Sequence, residues 1–175
     1  MRPGLALAPL LVLLALVALA AIVLNRDGER DTVSGGDLGR PAPTFALTRL
    51  GGSELVTSDE FSGRAHLINF YASWCTPCRA EHRHLMALRE QGVVILGVVY
   101  KDRPEAAARF LAELGDPFAA SALDPDGRFA LEIGVAGAVP ETFVIGADGA
   151  IRAVHRGPLT DEIAAREILP ALAAD

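Results

Sequence analysis

Cysteine is almost missing from this chain of 175 residues: Cys75 and Cys78 are the two it has. A structural zinc site needs about four ligands, and His66, His82, His84 and His155 stand at spacings that match no zinc signature. Haem attachment needs a histidine directly after the second cysteine, and that position is Arg79. No cysteine directly follows the apolar amino-terminal segment, so a lipoprotein is excluded. Basic runs are missing too. The 16 basic residues are scattered among 22 acidic ones, for a net charge of -6, and nucleic acid is thereby excluded as a partner. Lysine is reduced to Lys101, a bias of composition to which we attach no function. There is no internal repeat, and nothing calls for a metal or an organic cofactor.

What the chain does have, at its front, is one long uncharged run from Leu5 to Leu24, LALAPLLVLLALVALAAIVL. As a helix it would rise about 30 Å, enough to cross a bilayer core. Ala18-Leu19-Ala20 offers a small-residue cleavage site, but the apolar run continues through Ile22, Val23 and Leu24 and outlasts a signal-peptide core of about 7 to 15 residues. We read residues 1–24 as an uncleaved signal-anchor, with a cleaved signal peptide as the alternative. Arg2 opposes Arg26 and Arg30, so positive flanks do not decide the orientation. Residues 25–40 are polar and glycine-rich, the composition of a flexible linker.

The remainder, 41–175, alternates two patterns. His66–Tyr71 and Val93–Tyr100 are short apolar runs rich in branched residues, as in strands buried on both faces. Between them Cys78–Gln91 consists of helix formers and stops at Gly92. Strand, helix and strand at this spacing make a right-handed crossover between parallel strands. Pro104–Leu114 reads as a second helix. Thr142–Ile145 and Ile151–His155 flank Gly-Ala-Asp-Gly, an antiparallel hairpin signal. Thr160 caps a last helix from Asp161 to about Leu172, with Ile163, Ile168, Leu169 and Leu172 on its apolar face. The expected domain is α/β with a mixed central sheet flanked by helices.

The cysteine pair lies where the first of these strands gives way to its helix. As a staple it is badly placed, since a bridge closing four residues stabilises by about 2 kcal/mol, against about 4.7 for a loop of ~100 residues. As a redox pair it is well placed. Cys75 would face unpaired backbone N–H groups and the positive end of the helix dipole, both of which favour thiolate, so Cys75 is the expected nucleophile. Pro77 suits the first turn, and Cys78, one turn on and facing inward, is the expected resolving thiol. Cys78, Glu81, Leu85 and Leu88 share one helical stripe. A carboxylate at Glu81 would disfavour a second negative charge on Cys78 and could take its proton; the plainer reading is a solvated helix glutamate. Trp74 would cover the pair on one side. His82 and His84 are expected at the surface, and Lys101 and Asp102 in ordinary loop structure.

Trp-Cys-x-x-Cys at such a junction resembles the thioredoxin fold. NFYASWCTPCRAEH, VVYKD at Val98–Asp102 and PETFVIGADGAIRAVHRG from Pro140 resemble the DsbE/CcmG thiol-disulfide proteins of cytochrome c maturation over roughly Gly39 to Gly157. The resemblance implies a cis Pro140 against the cysteines, acidic site residues at Glu81 and Glu141, and a substrate-binding surface made of Trp74, Thr76, Pro77, Val139, Pro140 and Glu141. The backbone before Pro140 would pair with a bound peptide as an added strand. Departures are visible: Gly134–Thr142 carries one residue more before the proline than is usual and Ala136 where an aromatic is common, and Tyr71 and Val99 stand where tryptophan and asparagine are common. The implied activity is that of an inner-membrane, single-pass protein with its domain in the periplasm. It would reduce disulfides of apocytochrome c or its maturation partners and draw electrons from a membrane thiol reductant of the DsbD/CcdA type. A non-catalytic thioredoxin-fold module or scaffold in cytochrome c assembly is the alternative.

Overall fold

The computed structural model describes residues 12–14, 16–18 and 38–174, and the chain divides into two units at Thr32/Val33. In the first unit, residues 12–14 and 16–18 are helical and exposed. The rest of the Leu5–Leu24 run lies outside the described residues, and among the described residues no helix is long and apolar enough to cross a membrane.

In the second unit, a small antiparallel hairpin, β1 (Ala46–Thr48) with β2 (Leu55–Thr57), precedes the main sheet. A short 3-10 turn, Ser58–Phe61, leads to β3 (His66–Tyr71), α1 (Thr76–Glu90), β4 (Ile95–Tyr100), α2 (Pro104–Leu114), β5 (Ala120–Asp124) and α3 (Arg128–Ile133). The hairpin β6 (Glu141–Ile145) and β7 (Ile151–Arg156) follows. Asp161–Ile163 opens a last helix, α4, which passes through a π turn at Ala164–Ile168 and ends as Leu169–Ala173. Pro170 has no N–H for the carbonyl four residues back, and the chain widens just before it.

Strand order is β5-β4-β3-β6-β7, with β3, β4 and β5 parallel and β6 and β7 antiparallel to their neighbours. β3 is therefore central, and all six of its residues are buried. Alternation along it splits the core in two. Ile68 and Phe70 join Phe45, Phe61, Phe129 and Phe143 on one face. Leu67 and Tyr71 join Cys75, Cys78, Leu85, Leu88 and Phe110 on the other. Each such aliphatic or aromatic side chain, fully buried, stabilises by about 1.5–3 kcal/mol relative to exposure, and this double layer fixes the end of β3 from which the cysteines project.

The expected crossover and hairpin are present, the helix of the pair starting at Thr76 and β7 ending at Arg156. β1, β2, β5 and α3 are additions. Their runs are short, and β5 reads ASALD, without the branched residues that mark a strand. Gly39 and Arg40, placed in the linker by composition, are instead fastened to β7: Gly39 N–H donates to Ile151 O (2.8 Å) and Ile151 N–H to Arg40 O (2.9 Å). Backbone hydrogen bonds, which composition does not register, decide this. The two helix histidines are corrected as well. His82 and His84 are 3% and 7% exposed, not at the surface. His82 Nε2–H donates to Gly115 O (2.9 Å), and burial holds its proton affinity below the usual imidazole range against that bond. His84 Nδ1 donates to Asp161 Oδ1 (2.6 Å), which ties α1 to the start of α4.

Candidate active site

β3 ends at Tyr71, and four residues later the chain turns into α1 with Cys75 as its N-cap, in extended conformation (φ -89°, ψ 107°). An N-cap must satisfy the free N–H groups of the first turn. Here the cap is a sulfur: Cys75 Sγ accepts from Cys78 N–H at 3.1 Å. Pro77 fits the first turn, where no N–H is needed, and that turn carries no acidic residue to compete for the dipole. Cys75 and Cys78 form a disulfide, their Cα atoms 5.3 Å apart.

The two sulfurs differ less in access than expected, Cys75 being 4% and Cys78 1% exposed. The cause is the segment facing them. Val139-Pro140 is a cis peptide, and it sets the Val139 carbonyl oxygen 3.4 Å from Cys75 Sγ. In the disulfide Cys75 carries no proton, so this is a close approach; the reduced thiol would donate along the same line. Around this covered centre the rim is open, with Trp74, Thr76 and Pro77 exposed and Val139 half-buried. Trp74 is 58% exposed and so is no core tryptophan, its Nε1–H donating to Lys101 O (3.4 Å).

Glu81 is wholly buried, so the solvated-helix alternative is set aside. One oxygen, Oε1, accepts from Asn69 Nδ2 (2.9 Å) and the other, Oε2, from Leu159 N–H (2.8 Å). Burial pushes its carboxyl up to about 7, against the lowering effect of those two bonds. Glu141 is also buried, and its carboxylate is turned inward. Oε1 accepts from Ala136 N–H (2.7 Å) and Oε2 lies 3.3 Å from Arg156 Nε, its cross-strand partner. It therefore holds the 134–139 loop from behind.

Sequence reasoning passed over Asn69, Thr142 and Arg156, and gave Asp102 no role beyond loop structure. Asn69 could have been noticed as an amide within the otherwise apolar interior of HLINFY. Asp102 braces the loop before the nucleophile, its Oδ2 accepting from Ser73 N–H (2.6 Å) and its Oδ1 from Arg103 N–H (2.7 Å). Lys101, in positive φ (46°), makes the bend between the end of β4 and Asp102. Among the described residues no group of His, Cys, Asp and Glu could hold a metal ion.

A disulfide-forming Cys-x-x-Cys at the start of a helix, facing the carbonyl before a cis proline on a mixed sheet, defines a thioredoxin-fold thiol:disulfide oxidoreductase. The Redoxin family profile matches residues 37–169. Escherichia coli K12 thiol:disulfide interchange protein DsbE is 38% identical over 175 residues, covering 97% of this chain and 94% of its own length. The protein HelX of Rhodobacter capsulatus is 39% identical over 166 residues, covering 94% and 93%. The chain belongs to the Redoxin family, among the thiol:disulfide interchange proteins of DsbE/HelX type. The crystal structure of a DsbE thiol:disulfide interchange protein from Chlorobium tepidum superposes with a TM-score of 0.65 at 30% identity, covering 78% of this chain and 98% of that one.

Proposed function

We propose that this protein is a periplasmic reductant tethered to the inner membrane by residues 1–24 through the linker that follows, and that its substrates are disulfides in apocytochrome c or its maturation partners. The observation that carries the reading is the placement of Cys75 Sγ, at a helix N-terminus and 3.4 Å from the carbonyl before cis-Pro140. A substrate disulfide lying along Val139 would present its sulfur to Cys75. Trp74, Thr76 and Pro77 are the exposed residues that would meet such a substrate, with half-buried Val139 and buried Pro140 facing the pair.

The reduced Cys75 thiolate attacks one substrate sulfur, forms a mixed disulfide and expels the other substrate sulfur as thiolate. Cys78 gives its proton to the Glu81 carboxylate and attacks Cys75 Sγ, closing the intramolecular disulfide and releasing the second substrate thiolate. Two electrons pass to the substrate, whose thiolates take protons from solvent. A membrane thiol reductant of the DsbD/CcdA type restores the dithiol, which in an oxidising compartment persists only while electrons are supplied.

The test is a trap. A Cys78→Ser variant expressed in cells making c-type cytochromes should accumulate a mixed disulfide through Cys75, released by dithiothreitol and containing an apocytochrome or a maturation protein. If Cys75→Ser supports normal cytochrome c production in a strain lacking the native copy, the redox role fails and the scaffold reading takes its place.

A further inference from the structure

Among the buried polar residues to which the mechanism gives no task, one is bonded to Glu81 itself. Asn69 stands at the middle of β3, on the same face as Leu67, Tyr71 and the cysteines, and is fully buried. Its Nδ2 group donates twice, to Glu81 Oε1 (2.9 Å) and to Thr142 Oγ1 (3.0 Å). Thr142 is its direct partner across β6 and follows cis-Pro140 by two residues. The Oδ1 end has no hydrogen-bond partner among the described residues and is buried.

A buried carbonyl oxygen without a donor is unfavourable, and the cost is tolerated here for an identifiable reason. Turned over, the amide would set Oδ1 against Glu81 Oε1, acceptor against acceptor once that carboxyl is ionised, whereas the Thr142 hydroxyl can accept or donate. The observed orientation is therefore the one that suits an ionised Glu81. With Leu159 N–H on Oε2, each carboxyl oxygen receives one donor from a separate element, α1 being held to β3 and to the segment before α4.

Among the described residues no titratable group of the neighbouring elements is hydrogen-bonded or ion-paired to this carboxyl. Tyr71 of β3 stacks on Phe118, Glu141 of β6 is taken up by Ala136 and Arg156 of β7, and His155 of β7 faces Glu167 (3.3 Å). Cys78, on the same helix, is in the disulfide. Among the described residues Asn69 is thus the one side chain hydrogen-bonded to the carboxyl, and no charged group offsets the burial.

We propose that Asn69 is a positioning residue for the resolving step: its amide, anchored on Thr142, joins the Leu159 N–H in allowing a wholly buried Glu81 to exist as a carboxylate and so accept the proton of Cys78. This rests on the proposed role of Glu81, and the test separates the two. A hydrogen bond to an ionised group is strong enough that its loss should raise the Glu81 titration midpoint by about one unit or more. Carboxyl-carbon NMR of the oxidised protein reads that midpoint directly. Asn69→Leu, near in shape and without a donor, should show the rise. Asn69→Asp, which keeps the shape and replaces the donor by an acceptor, should show a larger one. In the native protein the Asn69 side-chain amide resonances should move with the same midpoint as Glu81. The displacement of a thiol from a mixed disulfide on Cys75 should slow about fivefold near pH 7 in Asn69→Leu, the fall in ionised fraction for a one-unit rise. A merely structural Asn69 would lower stability but leave the midpoint in place. Unmoved midpoints in the variants, or native amide resonances flat across the Glu81 titration, overturn the proposal. Shifted midpoints with an unchanged resolution rate support the Asn69–Glu81 coupling and sink the role of Glu81 in resolution.

Discussion

A carboxyl buried among apolar side chains resists ionisation because the charged form loses its water, and Glu81 shows what two well-placed donors leave of that effect. Its proton is held up to about 7, against 4.5 for the free group. The folded chain therefore binds more protons at this site than the unfolded chain throughout that window. Stability derived from Glu81 is present below about pH 4.5 and is lost as pH rises through 7, a total on the order of 3 kcal/mol. His82 and His66 act in the opposite sense, since burial lowers both and their contribution is lost on acidification. We therefore expect the difference in unfolding free energy between the native protein and Glu81→Gln to shift in favour of the variant between pH 5 and pH 8, the histidine contributions cancelling in the subtraction. Urea titrations at the two pH values measure this, and a constant difference would show that Glu81 ionises freely.

Among elements, β4 and the loop after it carry constraints of their own. Gly97 faces the ring of Phe118, and a Cβ there would come within 2.7 Å of its atoms. Phe118 is itself stacked on Tyr71 with centroids 4.9 Å apart, so the ring cannot retreat without disturbing the layer under the cysteines. Gly97→Ala should destabilise by about 1–3 kcal/mol, as overpacking does, read as a lower urea midpoint with unchanged slope; a neutral result would mean that Phe118 moves aside. The 134–139 segment is held differently, by Glu141 accepting from Ala136 N–H and lying against Arg156. Glu141→Gln keeps the shape and weakens the ionic contact, so the loop should open, with thiol–disulfide exchange by small disulfides changing more than global stability. Exchange rates and urea midpoints measured together check this, and equal effects on both would make Glu141 an ordinary core residue.

For the whole molecule, the anchoring of the chain is tested by fractionation. The full chain should sediment with membranes and withstand an alkaline carbonate wash, and protease added to spheroplasts should degrade its soluble domain; release by the wash, or protection from the protease, would sink the topology. Residue types and their spacing were enough to indicate the strand–helix–strand unit around Cys75 and Cys78, the hairpin after Pro140 and the apolar stripe carrying Glu81, because a short branched apolar run and a 3.6-residue period are local properties that short stretches of chain express by themselves. The short strands β1, β2 and β5 were not legible, since pairing with a neighbour and not composition makes them strands. The burial of His82 and His84, the inward turn of Glu141 and the joining of Asn69, Thr142 and Leu159 around Glu81 belong to the tertiary structure alone. Those partners lie as many as 78 residues apart along the chain. Only the closing of the sheet and the docking of α1 on it bring them within hydrogen-bond reach, and only there does the exclusion of water change what a carboxyl group does.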